Sequence, residues 1–193
     1  MDVKLILQYV QGETNPSEYG NWKLVSFNKR HIGFEDPYQY ILPPDEYGDP
    51  VPANIGIRRK LECGTAFILS YYEHGLCHWG LQGETMQCRF DTARIAGILF
   101  WTGDPKELPK TYKERQEWAR DFLQEYTYWC NGECFYFEFD DLEGNFIDGC
   151  DGFYGSEALP DSIKEYMEDD YNIVAIEGSA SHVLDLQEIT AES

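Results

Sequence analysis

Apolar positions along the chain fall into short blocks with the spacing of strands, interrupted by one long block with the spacing of a helix. VKLILQYV (3–10) is rich in strand formers and predicts an opening strand, and WKLVSF (22–27) predicts a second. TAFILSYY (65–72) reads as a buried strand that turns at Gly75 into LCHWGL, a hairpin. ARIAGILFW (93–101) is almost continuously apolar, which predicts a strand central to its sheet. ECFYFEF (133–139) alternates, with Cys134, Tyr136 and Glu138 on one side and Phe135, Phe137 and Phe139 on the other. DDLEGN then turns into a short return strand ending near Cys150, and YNIVAI (171–176) predicts a last strand.

The helical block follows Pro109. Thr111 and Glu114 have the spacing of a capping box, and Trp118, Ala119, Phe122, Leu123 and Tyr126 recur at helical period, which predicts a helix over 111–129. Leu159, Ile163, Tyr166 and Met167 outline a second, short helix. Residues 33–56 hold five of the nine prolines and read as a long ordered loop; 152–155 reads as a tight, irregular connection, and 178–193 fits no element and reads as a tail that can be flexible. Neither an internal repeat nor a linker stands out. The expectation is therefore a single α+β domain over 1–193, with an antiparallel or mixed β-sheet packed by one long and one short helix.

Composition sharpens this picture through charge. Aromatics at 16% and apolar residues at 42% argue for a packed core despite a formal net charge of −20. Residues 1–110 hold 14 acidic and 11 basic residues, whereas 111–193 hold 21 acidic and 4 basic. Phosphate contacts need Lys and Arg, so direct nucleic-acid binding is disfavoured and a basic protein partner is favoured; an acidic surface that serves only solubility is the other reading. No apolar run approaches the roughly 20 residues of a membrane span, and the N-terminus lacks a signal-peptide pattern, so no membrane association and a cytoplasmic location are expected. The six cysteines then read mainly as reduced packing residues.

Catalytic and cofactor signatures are sparse. GxxxxGK[ST] and GxGxxG are both missing, and Gly149, Gly152 and Gly155 have the wrong spacing and acidic surroundings for phosphate; no cofactor is expected. Cys130, Cys134 and Cys150 with a histidine are the nearest approach to a metal set, against a simpler reading as packing residues, and no metal is expected. Cys77 and His78 point to opposite faces of a strand. Carboxylate pairs drawn from Asp91, Glu133, Asp148 or Asp151 arise by chance among 35 acids. Should the chain be an enzyme, hydrolytic or ligand-modifying, His74, Asp91 and Glu133 are its candidate catalytic residues. Should it sequester a small ligand or nucleotide, Tyr and Trp walls with Arg30, Arg89 or Arg94 would be needed. More informative is a row of Glu114, Glu117, Asp121 and Glu125 along about 16 Å of helix, which could imitate phosphates or dock a basic groove. Asp140, Asp141, Glu143, Glu168, Asp169 and Asp170 extend the candidate partner-binding set.

Several local signatures, in order, resemble a family of small proteins found in phages of actinobacteria and related mobile elements. They are NPSEYGNWKLVSFNKRHIGFED (15–36), YYEHGLCHWGLQGE (71–84), CRFDTARIAGILFW (88–101), YTYWCNGECFYFEF (126–139) and IDGCDGFYG (147–155), covering most of 15–155. They correspond to a PREWDNLG-type opening, an HSG or HGG turn, a WD-then-AG segment, an NGEVYGY strand and a DSCWGFYG turn. Asn28 stands where a histidine often precedes the basic pair, and Phe135-Tyr136-Phe137 stands where the strand often carries glycine. The resemblance implies a shared fold and a phage-type context, not a mechanism. The expected function is a counter-defence inhibitor, of anti-CRISPR or anti-restriction type, that meets a host defence protein with a basic groove through its acidic C-terminal half. A homodimer that buries apolar loop residues stays open.

Overall fold

A computed structural model describes residues 1–167 and 171–190 of the chain. In chain order its elements are β1 (Asp2–Tyr9), α1 (Pro16–Tyr19), β2 (Trp22–Ser26), β3 (Ile41–Leu42), β4 (Val51–Pro52), α2 (Ile55–Cys63), β5 (Ala66–His74), β6 (Leu76–Leu81) and β7 (Thr92–Trp101). There follow α3 (Tyr112–Asn131), β8 (Cys134–Asp140), β9 (Phe146–Tyr154), α4 (Leu159–Tyr166), β10 (Asn172–Glu177) and α5 (Leu186–Thr190). Short 3₁₀ turns lie at Pro37–Gln39 and Ser181–Val183. The α+β class expected from the sequence is what the structure shows. Where one sheet and one core were expected, the contacts group into two compact units, 1–13 with 128–193 and 14–127, each with its own four-stranded sheet. No helix of the described residues is long and apolar enough to cross a membrane.

In the unit of residues 1–13 and 128–193 the sheet order is β10-β1-β8-β9, with β1 antiparallel to β8 and parallel to β10. Alternation decides the faces. Val3, Leu5 and Leu7 of β1 stand on the same side as Phe135, Phe137 and Phe139 of β8, and all six are buried. Leu159 and Ile163 of α4 close over this face, joined by Ala180, Leu184 and Ile189. Two expectations are corrected here. Residues 152–154 continue β9 as strand, because Phe153 and Tyr154 pair with Phe135 and Cys134. The supposed tail, as far as it is described, supplies core side chains, so its apolar residues at 180, 184 and 189 have a packing role. Residues 191–193 lie outside the described residues.

In the unit of residues 14–127 the sheet is antiparallel, in the order β2-β7-β5-β6, so β7 is central as its apolar run predicted. α3 crosses one face, with Phe67 against Tyr112 (ring centroids 5.7 Å), Trp79 against Tyr126 (6.2 Å) and Trp101 against Trp118 (6.1 Å). Ala119, Phe122, Leu123 and Tyr126 are buried as their period predicted, but Trp118 stays 45% exposed at the rim of that stripe. Ile57 of α2 packs the opposite face with Val25, Ala66, Ile98 and Phe100. Gly97 allows the close approach of β2, since a Cβ there would run into the Val25 carbonyl.

The capping box is formed: the Glu114 amide donates to Thr111 Oγ1 (3.2 Å) and the Thr111 amide donates back to Glu114 Oε2 (3.0 Å). Segment 33–56, expected to carry little regular structure, holds a 3₁₀ turn, the β3–β4 ladder and the start of α2. α2 itself was not foreseen. Asn54 caps its first turn, accepting from the Ile57 amide (3.0 Å), and Gly64 ends it at φ 71°.

Candidate functional site

The unit of residues 1–13 and 128–193 contains an open cleft of about 730 Å³ between the chain leaving β1 and the chain entering β8. Its geometry follows from how α3 ends. Gly132, at φ 73°, lets its own amide reach the Trp129 carbonyl (3.1 Å) and the Glu133 amide reach the Tyr128 carbonyl (2.9 Å), the paired bonds of a Schellman ending. This reversal places Asn131, Gly132 and Glu133 on the cleft wall. Opposite them, the Val10 amide donates to the Cys134 carbonyl (2.8 Å), and Trp129 Nε1 donates to the Glu13 carbonyl (2.9 Å), which pins the indole at the cleft. Tyr9 completes the wall, its ring 5.0 Å from Phe135 and 6.1 Å from His182.

The Glu133 carboxyl is pushed above the ordinary carboxylate range, chiefly by burial and secondarily by the nearby Glu157 carboxylate. Glu157 is itself bonded by the Tyr128 hydroxyl (2.6 Å). A carboxylate beside aromatic walls and a second negative charge is electrostatically suited to a cation.

The chain matches no protein-family model, no curated protein and no solved structure.

The three residues expected to serve an enzyme are divided. His74 Nδ1 lies 3.5 Å from Asp91 in the unit of residues 14–127, whereas Glu133 belongs to the other unit. Asp91 also accepts from the Cys88 thiol (3.2 Å), and its carbonyl accepts from the Glu73 amide (3.1 Å). It thereby braces the turn end of the β5–β6 hairpin, and the thiol beside it meets a carboxylate rather than a strong base. Asp148 and Asp151 are exposed on β9. Among the described residues no three of His, Cys, Asp and Glu are placed to hold a metal ion. Arg30, Arg89 and Arg94 are exposed, and Arg89 lies over the Phe90 ring (5.8 Å).

The ten residues expected to bind a partner are likewise distributed. On α3, Glu114 serves the capping box, Glu117 pairs with Lys113 (3.6 Å) and Glu125 accepts from the Tyr19 hydroxyl (2.8 Å), while Asp121 is exposed. Residues 111–127 carry four acidic and three basic residues, so this row adds little net charge. Asp140, Asp141 and Glu143 lie in the other unit, where Asp141 caps its turn by accepting from the Glu143 and Asn145 amides (both 2.8 Å) and is held below the ordinary carboxylate range, chiefly by its bonds from Asn145. Glu168, Asp169 and Asp170 lie outside the described residues.

One polar cluster was not foreseen. His31 Nδ1 sits 2.9 Å from Ser26 Oγ and its Nε2 sits 3.2 Å from Asn28 Nδ2, with the Tyr71 and Trp79 rings at 4.7 and 5.5 Å. Burial lowers its pKa, opposed by the charge of Glu73. Ser26 is fully buried, so the pair reads as a brace for the β2 end rather than as a nucleophile and base. NKRH gave no periodic signal that would have marked it.

Proposed function

We propose that the protein is an acidic counter-defence inhibitor, of the phage-type anti-CRISPR or anti-restriction kind, that occupies the basic groove of a nucleic-acid-handling host protein. The observation that carries this reading is where the charge lies. Residues 1–13 and 128–193 hold 19 acidic residues against 2 basic ones, whereas 14–127 hold 16 against 13. The docking face is therefore assigned to the first unit, with Asp140, Glu143 and neighbouring acids, and the α3 row is secondary. Exposed carboxylates such as Asp148, Asp151, Asp161 and Glu165 lie on regular elements, β9 and α4, rather than on loops. A negative surface of this density favours fast, salt-sensitive association with a basic groove and excludes nucleic acid from it.

The test is a pull-down of the tagged protein from bacterial lysate at low and high salt. Retention of a nucleic-acid enzyme that high salt releases, and whose activity the purified protein blocks, is the expected result. No protein retained at either salt overturns the proposal.

A further inference from the structure

The cleft walled by Tyr9, Trp129 and Glu133 has what a bare acidic surface lacks: a concave volume lined by aromatic rings together with an acidic residue. Among the described residues no donor is hydrogen-bonded to the Glu133 carboxylate, and its charged neighbour is Glu157, of like sign. The unit's Lys and Arg residues are Lys4, paired with Glu177 (2.9 Å), and Lys164 on α4, and its one histidine, His182, meets the Tyr9 hydroxyl (3.5 Å). The cleft therefore presents an unneutralised negative charge to whatever enters it, and anionic ligands are repelled.

We propose that this cleft seats an arginine side chain carried on a loop of the basic partner, with the guanidinium on Glu133 and its plane against the aromatic walls of Tyr9 and Trp129. This rests on the reading of this unit as the docking face. Guanidinium fits better than ammonium because it is planar, weakly hydrated, stacks on rings and can offer two parallel donors to one carboxylate. At about 730 Å³ the cleft exceeds one side chain, so it also takes the residues flanking the arginine. A buried, stacked arginine is the kind of anchor on which interface affinity concentrates, whereas the surrounding acids mainly set rate and salt dependence.

The test uses the full-length protein and a capped Gly-Arg-Gly peptide, followed by amide and indole NMR, with capped Gly-citrulline-Gly as the uncharged shape control. Saturable shifts at Trp129 Nε1–H, Gly132 and Glu133 with the arginine peptide, absent with citrulline, are expected. Glu133→Gln, which keeps shape and removes charge, should weaken the arginine peptide roughly tenfold, the loss of one charge-assisted bond. Equal shifts with citrulline, no shifts at all, or unchanged affinity in Glu133→Gln overturns the site. The two proposals fail separately. A basic partner still captured at low salt by Glu133→Gln with unchanged affinity removes the arginine seat and leaves the docking face; arginine bound in the cleft with no partner in any lysate does the reverse.

Discussion

The two units solve the same packing problem and leave different surfaces. Each buries one face of a four-stranded sheet under helix: Phe135, Phe137 and Phe139 under α4 in one, Phe67, Leu69 and Trp79 under α3 in the other. In the unit of residues 14–127, cations meet the acids: Arg120 grips Glu84 (2.7–3.1 Å), Lys23 pairs with Glu35 (3.1 Å) and Lys113 with Glu117. In the other, 19 acids have two lysines between them. Self-repulsion of that size opposes compactness and is not needed to fold such a sheet, since its neighbour does without it. The comparison can be broken or sharpened by substitutions in matched pairs.

The largest effect should fall on what the units share. Phe137→Ala and Leu99→Ala, each emptying a fully buried position, should cost about 3–5 and about 2–5 kcal/mol in urea unfolding. Lysine at exposed Glu143 should change stability by less than about 0.5 kcal/mol. Binding should invert this ranking. The triple change Glu138→Lys, Glu143→Lys and Glu165→Lys should weaken partner binding by roughly tenfold or more and flatten its salt dependence, whereas Glu117→Lys, Asp121→Lys and Glu125→Lys should cost about threefold or less. Equal losses from the two triples, measured by titration at two salt concentrations, would erase the distinction between the units.

How much of this was legible in the sequence depended on the range of the interaction. Local patterns were read correctly: the alternating Phe135, Phe137 and Phe139, the apolar run of β7, the Gly75 hairpin and the Thr111–Glu114 box. What failed was long-range. Nothing in VKLILQYV shows that β1 will lie between β8 and β10, more than a hundred residues away, and so nothing shows that Tyr9 will face Trp129 and Glu133 across a cleft. Glu133 falls in one unit and the His74–Asp91 pair in the other, a division that chain order does not display. α2 is marked in the sequence only by its caps, Asn54 and Gly64, and it follows directly on a proline-rich stretch that breaks regular structure. Those caps can be tested. Asn54→Ala should destabilise by about 1 kcal/mol, and Asn54→Gly by only a few tenths, because glycine also caps acceptably; equal losses would show that the Asn54 side chain matters for something other than the Ile57 amide.

The smallest expected effects are slopes with pH, and here one residue from each unit, His31 and Glu133, differ in sign. Burial holds the His31 pKa below its ordinary value of about 6.5, so the neutral ring stabilises the fold above that pH and the contribution is lost as pH falls through the lowered value. Burial and Glu157 hold Glu133 above the ordinary carboxylate value of about 4.3, so its contribution is complete below that pH and is lost as pH rises through the raised value. Asp141, held low by Asn145, loses its contribution on acidification, so the Glu133 term has to be isolated by difference. Glu133→Gln should therefore match the parent in Tm near pH 4 and exceed it at pH 7, while His31→Gln should fall short of the parent by more at pH 7.5 than at pH 5. A Glu133→Gln difference that does not grow with pH would mean that the cleft carboxylate is at ease where it stands, and with it would go the electrostatic reason for a cation to enter.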